Sequence, residues 1–252
     1  MTPEDLTARL LYRDGMMLVI DKPAGIPVHK GPKGGDNLEA YFDVLRFGLP
    51  RSPALAHRLD RDTSGCLVLG RHRKALERLG KLFKHGYVAK TYWAVVEGAP
   101  PENRGTIDMA MSRLDQTRGW WMRTDPLGQP ACTHWQVLGR GTDAEGAPLT
   151  WLALEPVTGR THQLRVHCAA MGWPILGDPI YGRGRPDTPP GLQLHARRIV
   201  VPIQAGKPPV EVTASAPAHM RDALARCGYI AEKDPPRALS PAALASTDAG
   251  DS

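Results

Sequence analysis

The chain has 252 residues, 42% hydrophobic and 23% charged, enough to bury a sizeable core in one large domain or two small ones. No apolar run reaches the roughly 18 residues of a membrane span, and MTPEDLTARL lacks the basic-then-apolar order of a signal peptide. These features predict a cytoplasmic protein with no membrane partner.

Four cysteines (Cys66, Cys132, Cys168, Cys227) are scattered without a CxxC pair, which predicts reduced thiols, not disulfides or a zinc site. His162 and His167 are five apart, on different faces of any helix, so no metal site is expected. The net charge of +6 admits an acidic partner, and a tail of −2 from Ala231 onward leaves +8 on residues 1–230.

In chain order, Leu10–Lys22 (LLYRDGMMLVIDK) reads as a hairpin around Arg-Asp-Gly. Pro23, Gly25 and Pro27 force a loop. Asn37–Phe47 has helical periodicity through Leu38, Tyr41, Phe42 and Leu45. Cys66–Leu69 predicts a short buried strand. Lys74–His85 predicts a helix with Leu76, Leu79, Leu82 and Phe83 inside and basic residues outside, ended by Gly86. Between Arg71 and Lys90 there are seven Lys or Arg against Glu77. A solvated helix face accounts for such a run by itself, and a nucleic-acid partner needs support from elsewhere.

Lys90–Gly98 (KTYWAVVEG) predicts a strand, with Gly105–Asp108 and Cys132–Leu138 as weaker candidates and Thr150–Pro156 as another. A helix over Thr161–Met171 closes at Gly172. Leu192–Ile203 and Val210–Ala214 complete the strands. From Ala231 the Ala, Pro, Ser and Asp content cannot order itself, so residues 1–230 form the folded domain and 231–252 a disordered tail. Strands following one another through turns predict an α+β fold: one large mixed, mainly antiparallel sheet flanked by helices and loops.

Three segments could carry chemistry. In HRLDRDTSG (57–65), Asp60 can act as nucleophile or base with Arg58 and Arg61 beside it; a surface salt-bridge cluster at the turn is the alternative. In GRTHQLRVH (159–167), Arg160 and Arg165 stand at a helix start, where cations are disfavoured unless an anion is near. That anion is a phosphate or a carboxylate; a buried structural helix with polar ends is the alternative. Tyr92 alternates with Thr91 and Trp93 along its strand, where a tyrosine is most often core. No GxSxG and no P-loop occur.

HRLDRDTSG, KTYWAVVEG, EPVTGRTHQLRVH (155–167), GWPILGDPIYG (172–182) and LHA (194–196), preceded by DKPAG (21–25), each say little alone. In this order and spacing they resemble the RluA family of RNA pseudouridine synthases, over roughly residues 10–217. The resemblance is closest to the compact members without an S4 domain, which modify a transfer-RNA anticodon stem-loop and large-subunit ribosomal RNA. It implies the pseudouridine synthase catalytic fold and site-specific isomerisation of uridine to pseudouridine, without a cofactor.

By that resemblance Asp60 is the catalytic aspartate, adding to C1′ or taking a proton from C2′. Arg165 pairs with it, and Tyr92 stacks on the flipped base. Arg58 fills the space left in the RNA, Leu194 lines the base site, and His57 and Arg160 complete the substrate-binding set. RNA is the implied partner, with no obligate protein partner and a monomer as the default. Two other readings remain open. A non-catalytic RNA-binding relative would lack the catalytic residues, and a small-nucleoside hydrolase would need a second acid and no basic face. The pair Trp120-Trp121 either packs on RNA or covers the sheet edge.

Overall fold

The computed structural model describes residues 1–31, 34–114, 121–185, 189 and 191–231. Its elements are α1 (Pro3–Thr7), β1 (Leu10–Arg13), β2 (Met17–Lys22), a 3₁₀ helix (Leu38–Leu45), β3 (Ala54–Leu55), β4 (Ser64–Gly70), α2 (Arg73–Lys84), β5 (Ala89–Glu97), β6 (Arg104–Asp108), β7 (Met111–Arg113), β8 (Met122–Thr124), β9 (Cys132–Thr142), β10 (Pro148–Pro156), α3 (Gln163–Ala170), β11 (Leu194–Val201), β12 (Val210–Thr213), a second 3₁₀ turn (Ala218–Met220) and α4 (Arg221–Arg226). The class is α+β, with strand pairing dominant and mainly antiparallel. The chain divides into two compact units.

The first unit comprises Met1–Ala89 and Ala196–Ser215. The β1–β2 hairpin forms as expected: Asp14 Oδ1 accepts from the Met16 and Met17 N–H groups, which closes the turn. β2 pairs antiparallel with β4 from Met17↔Gly70 to Lys22↔Gly65. All seven residues of β4 are buried, as in a strand covered on both faces. Leu11, Val19, Val68, Leu79, Ile199, Val201 and Val212 share one core cluster. α2 closes on β4 because Gly70 has no side chain: a Cβ there would lie 2.7 Å from Leu76 Cγ.

The segment expected as a helix over 37–47 is 3₁₀, begun by Asn37, whose side chain accepts from the Ala40 N–H. It stops where Phe47 and Gly48 turn to positive φ (44° and 82°). Arg71 takes the final carbonyls of Arg46 and Phe47, so the end is held by a distant side chain.

The second unit comprises Lys90–His195 and residues from Ala216 onward. Its strands run β5-β10-β9-β6, all antiparallel, and β7 pairs with β8. One core joins Ala94, Ile107, Trp135, Leu152, Leu164, Trp173 and Leu194. α3 starts two residues later than the spacing predicts. Gln163 is the cause: its Oε1 accepts from the Thr158 hydroxyl and Arg160 N–H, while Nε2 donates to Cys132 O and Thr133 Oγ1. His162 takes the N-cap position in the left-handed region (φ 54°).

All four cysteines are free thiols, and burial pushes Cys66 up to about 12. Among the described residues no helix is long and apolar enough to cross a membrane. Apart from Ala231, the expected disordered tail lies outside the described residues, as does Trp120; Trp121 is half-buried.

Candidate active site

In the first unit the site is a loop between β3 and β4 that holds His57, Arg58 and Asp60 together. Leu59, 4% exposed, is its apolar anchor. On either side of it Arg58 is exposed and Asp60 half-buried. His57 faces inward: Nε2 accepts from the Val68 N–H at 3.0 Å, and the ring stacks on Phe83 of α2 with centroids 4.5 Å apart. Thr63 N–H donates to Asp60 O at 3.2 Å, closing a turn over residues 60–63.

Lys22, passed over in the sequence, secures that turn from below. It is fully buried, and its Nζ donates to the carbonyls of Pro23, Arg61 and Thr63 at 2.8, 2.8 and 2.9 Å. Two of those carbonyls belong to the residues just beyond Asp60. Burial pulls the Lys22 pKa down to about 7, with the charges of Asp62 and Asp60 pulling it back upward. Gly25 N–H also donates to Arg61 O at 3.0 Å, so the DKPAG turn and the aspartate loop form one hydrogen-bonded block. Lys22 stands next to Pro23 in sequence, yet its partner Thr63 is 41 residues away; only a buried lysine inside an apolar strand hinted at it.

In the second unit Arg165 is 3% exposed and grips Asp178 with two bonds, Nε to Oδ2 at 2.8 Å and Nη2 to Oδ1 at 2.7 Å. Asp178 is thus a carboxylate facing this helix start, a partner that the sequence did not single out. Burial drives the Asp178 pKa up, but the Arg165 guanidinium and the N–H groups of Ile180 and Tyr181 outweigh it. Its carboxyl is held below the ordinary range. Tyr181 adds an aromatic face 5.3 Å from the guanidinium. Its hydroxyl bonds His162 Nδ1 at 2.9 Å and accepts from the Met122 N–H at 2.9 Å.

His162, Asp178 and Tyr181 thus surround Arg165, and the left-handed backbone at His162 is the strain expected of a residue held for position. Arg160 lies apart from them, exposed, with Nε donating to Pro130 O at 3.1 Å. Tyr92 is half-buried on β5 opposite Leu154 and packs against the core cluster that contains Leu194. Lys90, two residues earlier on the same face, has its pKa lowered by burial. Among the described residues no group of His, Cys, Asp or Glu gathers as metal ligands would.

Chemically, the first unit offers a seated carboxylate beside an exposed guanidinium. The second offers a half-buried phenol and a rigid arginine. Comparison with known proteins gives this arrangement its context. A family model described as RNA pseudouridylate synthase matches residues 16–170. An uncharacterised RNA pseudouridine synthase of Zymomonas mobilis subsp. mobilis is 43% identical over 84% of this chain and 94% of its own length. The ribosomal large subunit pseudouridine synthase C of Vibrio cholerae is 33% identical over 86% of this chain and 68% of its own. Among solved structures, human RNA pseudouridylate synthase domain containing 1 superposes with a TM-score of 0.71 at 32% identity, covering 86% of each chain.

Proposed function

Because the chain belongs to the RluA family of RNA pseudouridine synthases, isomerases of uridine in RNA, we propose that Asp60 is its catalytic residue. In the reaction the N1–C1′ bond breaks, the uracil turns over in place, and C5 bonds to C1′. The C5 proton leaves and N1 gains one. Nothing is oxidised and no group is lost, so the reading calls for no cofactor. Whether the carboxylate adds to C1′ or takes the C2′ proton, the sugar becomes electron-poor, and a fixed anion stabilises it.

The observation that carries this reading is the seating of Asp60. Leu59 anchors one side of it, the Thr63 N–H closes the turn, and Lys22 ties down the carbonyls of Arg61 and Thr63. A carboxylate in a bare salt-bridge cluster would need no such block. The other roles follow the family resemblance. Tyr92 stacks on the flipped base, an interaction worth roughly 1–3 kcal/mol, and removes the C5 proton after rotation. Arg165 orients Asp60, and Arg58 fills the vacated space, a task suited to its flat cation. Flipping itself costs a few kcal/mol. Leu194, His57 and Arg160 complete the substrate-binding set.

The enzyme acts as a cytoplasmic monomer in this reading, on a transfer-RNA anticodon stem-loop or large-subunit ribosomal RNA. The relatives from Vibrio cholerae and Buchnera aphidicola are named for the ribosomal large subunit, which favours the second.

Tritium release from RNA labelled at C5 of uridine tests this, on transfer RNA and ribosomal fragments, with Asp60→Asn beside the wild type. The expected result is release by the wild type and a fall of about 10⁴-fold or more in the variant. Equal release by both would remove Asp60 from the chemistry. Release by neither, on total cellular RNA as well, would overturn the catalytic reading.

A further inference from the structure

We propose that the outer face of α2, together with Tyr87, binds the RNA strand flanking the target uridine, forming a second contact surface separate from the aspartate loop. This rests on the RNA substrate of the preceding section and adds a surface that the uridine chemistry does not require.

At 100° and 1.5 Å per residue, Lys74, Arg78 and Lys81 fall within an arc of about 60°, at axial steps of about 6 and 4.5 Å. Such steps match the scale of one nucleotide along a strand. All three are exposed. Arg73 is paired, its Nε 2.9 Å from Glu77 Oε1, whereas none of the three has an acidic partner among the described residues. The helix's own stability does not explain the pattern. Lysine at the carboxyl end suits the helix dipole, but Arg73 and Lys74 stand in the first turn, which holds no acidic residue and where the dipole opposes cations. Arg73 is offset by Glu77, and the charge of Lys74 is accounted for by an anion arriving from outside.

Tyr87 supplies an independent observation. It is 66% exposed at the end of the basic stripe, yet its backbone is fixed: the N–H donates to Leu82 O at 3.0 Å, and Gly86 makes the preceding turn at φ 73°. The ring lies 6.0 Å from the His85 ring. An exposed aromatic on a fixed backbone beside a row of cations is the pairing that single-stranded RNA uses, phosphates on the charges and a base on the ring.

The surface is also held in register with the candidate catalytic residue. Phe83, on the inner side of α2, stacks on His57, three residues before Asp60, and His57 is itself held by the Val68 N–H. RNA lying along α2 therefore meets the aspartate loop at a fixed distance.

The test measures Kd for a labelled RNA hairpin with single-stranded flanks and for the same hairpin without them. The variants are the triple Lys74→Gln/Arg78→Gln/Lys81→Gln, Tyr87→Leu, and a charge-matched control, Arg104→Gln/Lys207→Gln/Arg226→Gln. Glutamine is a good helix former; circular dichroism and melting confirm folding, and single substitutions replace any triple that unfolds. The expected result is about tenfold weaker binding of the flanked hairpin by the α2 triple, with the slope of log affinity against log salt reduced by about 2. Tyr87→Leu should weaken it about fivefold with the slope kept, and the control should change little. Equal losses in the α2 triple and the control would mean that only net charge matters. Losses equal with and without flanks, or no loss, would likewise overturn the proposal. C5 release by the wild type on the same RNA is scored separately, so the failure of the α2 surface is distinguishable from failure of the catalytic reading.

Discussion

Lys22 shows how much one buried side chain can decide at the residue scale. Its ammonium has three hydrogens, and three carbonyls receive them within 2.9 Å. Methionine would fill much of the same volume but give no hydrogen, leaving buried acceptors unpaired at about 1–3 kcal/mol each. Some of that is recovered as the turn relaxes toward water. Lys22→Met is therefore expected to lower stability by about 2–4 kcal/mol, read from urea denaturation. It should also reduce C5 tritium release per folded molecule, because two of the freed carbonyls belong to the turn just beyond Asp60. A stability loss with full activity in the folded fraction would show that the Asp60 loop keeps its shape without the lysine.

The helix α3 and the loop that follows it form the element on which Arg165 depends. Asp178 lies thirteen residues beyond Arg165, and both are buried. Removing one partner of such a pair costs about 3–5 kcal/mol, since the other charge is left uncompensated. Asp178→Asn should therefore destabilise by about that amount. The pH dependence has a definite sign. The folded-state pKa of Asp178 is lowered, so its contribution is fully present above the unfolded value of about 3.9. It is lost as pH falls through the folded value. Melting temperature measured downward from pH 6 should drop in acid for the wild type and drop less steeply for Asp178→Asn. Parallel curves would mean that the carboxylate is not ionised by virtue of the pair.

In both units the side chains that hold the candidate site were hidden by long-range contacts. Arginines at a helix start announce an anion, because the dipole there repels cations, so the need was visible while the carboxylate that accepts from Arg165 was not. Asp178 sits in GDPIYG, which reads as a turn, and only the folded loop brings it to Arg165. Lys22 was hidden in the same way, its partners lying up to 41 residues off. What periodicity encodes was readable: the β1–β2 hairpin, the amphipathic α2, and the β5 and β10 strands. The 3₁₀ geometry of Leu38–Leu45 was not, because its end is fixed by Arg71 from another part of the chain. Strand neighbours such as β4 and β11 are likewise set by long-range packing that no local pattern records.

For the whole molecule, charge is the property that governs encounter with RNA. Residues 1–230 carry +8, and α2 concentrates exposed cations on one face. Each phosphate neutralised releases counterions, contributing about −0.7 to the slope of log affinity against log salt for a single strand. If Lys74, Arg78 and Lys81 each meet a phosphate, these three contribute about −2 to the wild-type slope. Asp60 touches no phosphate in this scheme, so Asp60→Asn should bind RNA with the same slope while failing to release tritium. Filter binding across a salt series, run on both proteins, separates the two functions of the chain. A slope near zero would place recognition in base and shape contacts instead of the basic face. A changed slope in Asp60→Asn would mean that the carboxylate helps set the RNA's position as well as its chemistry.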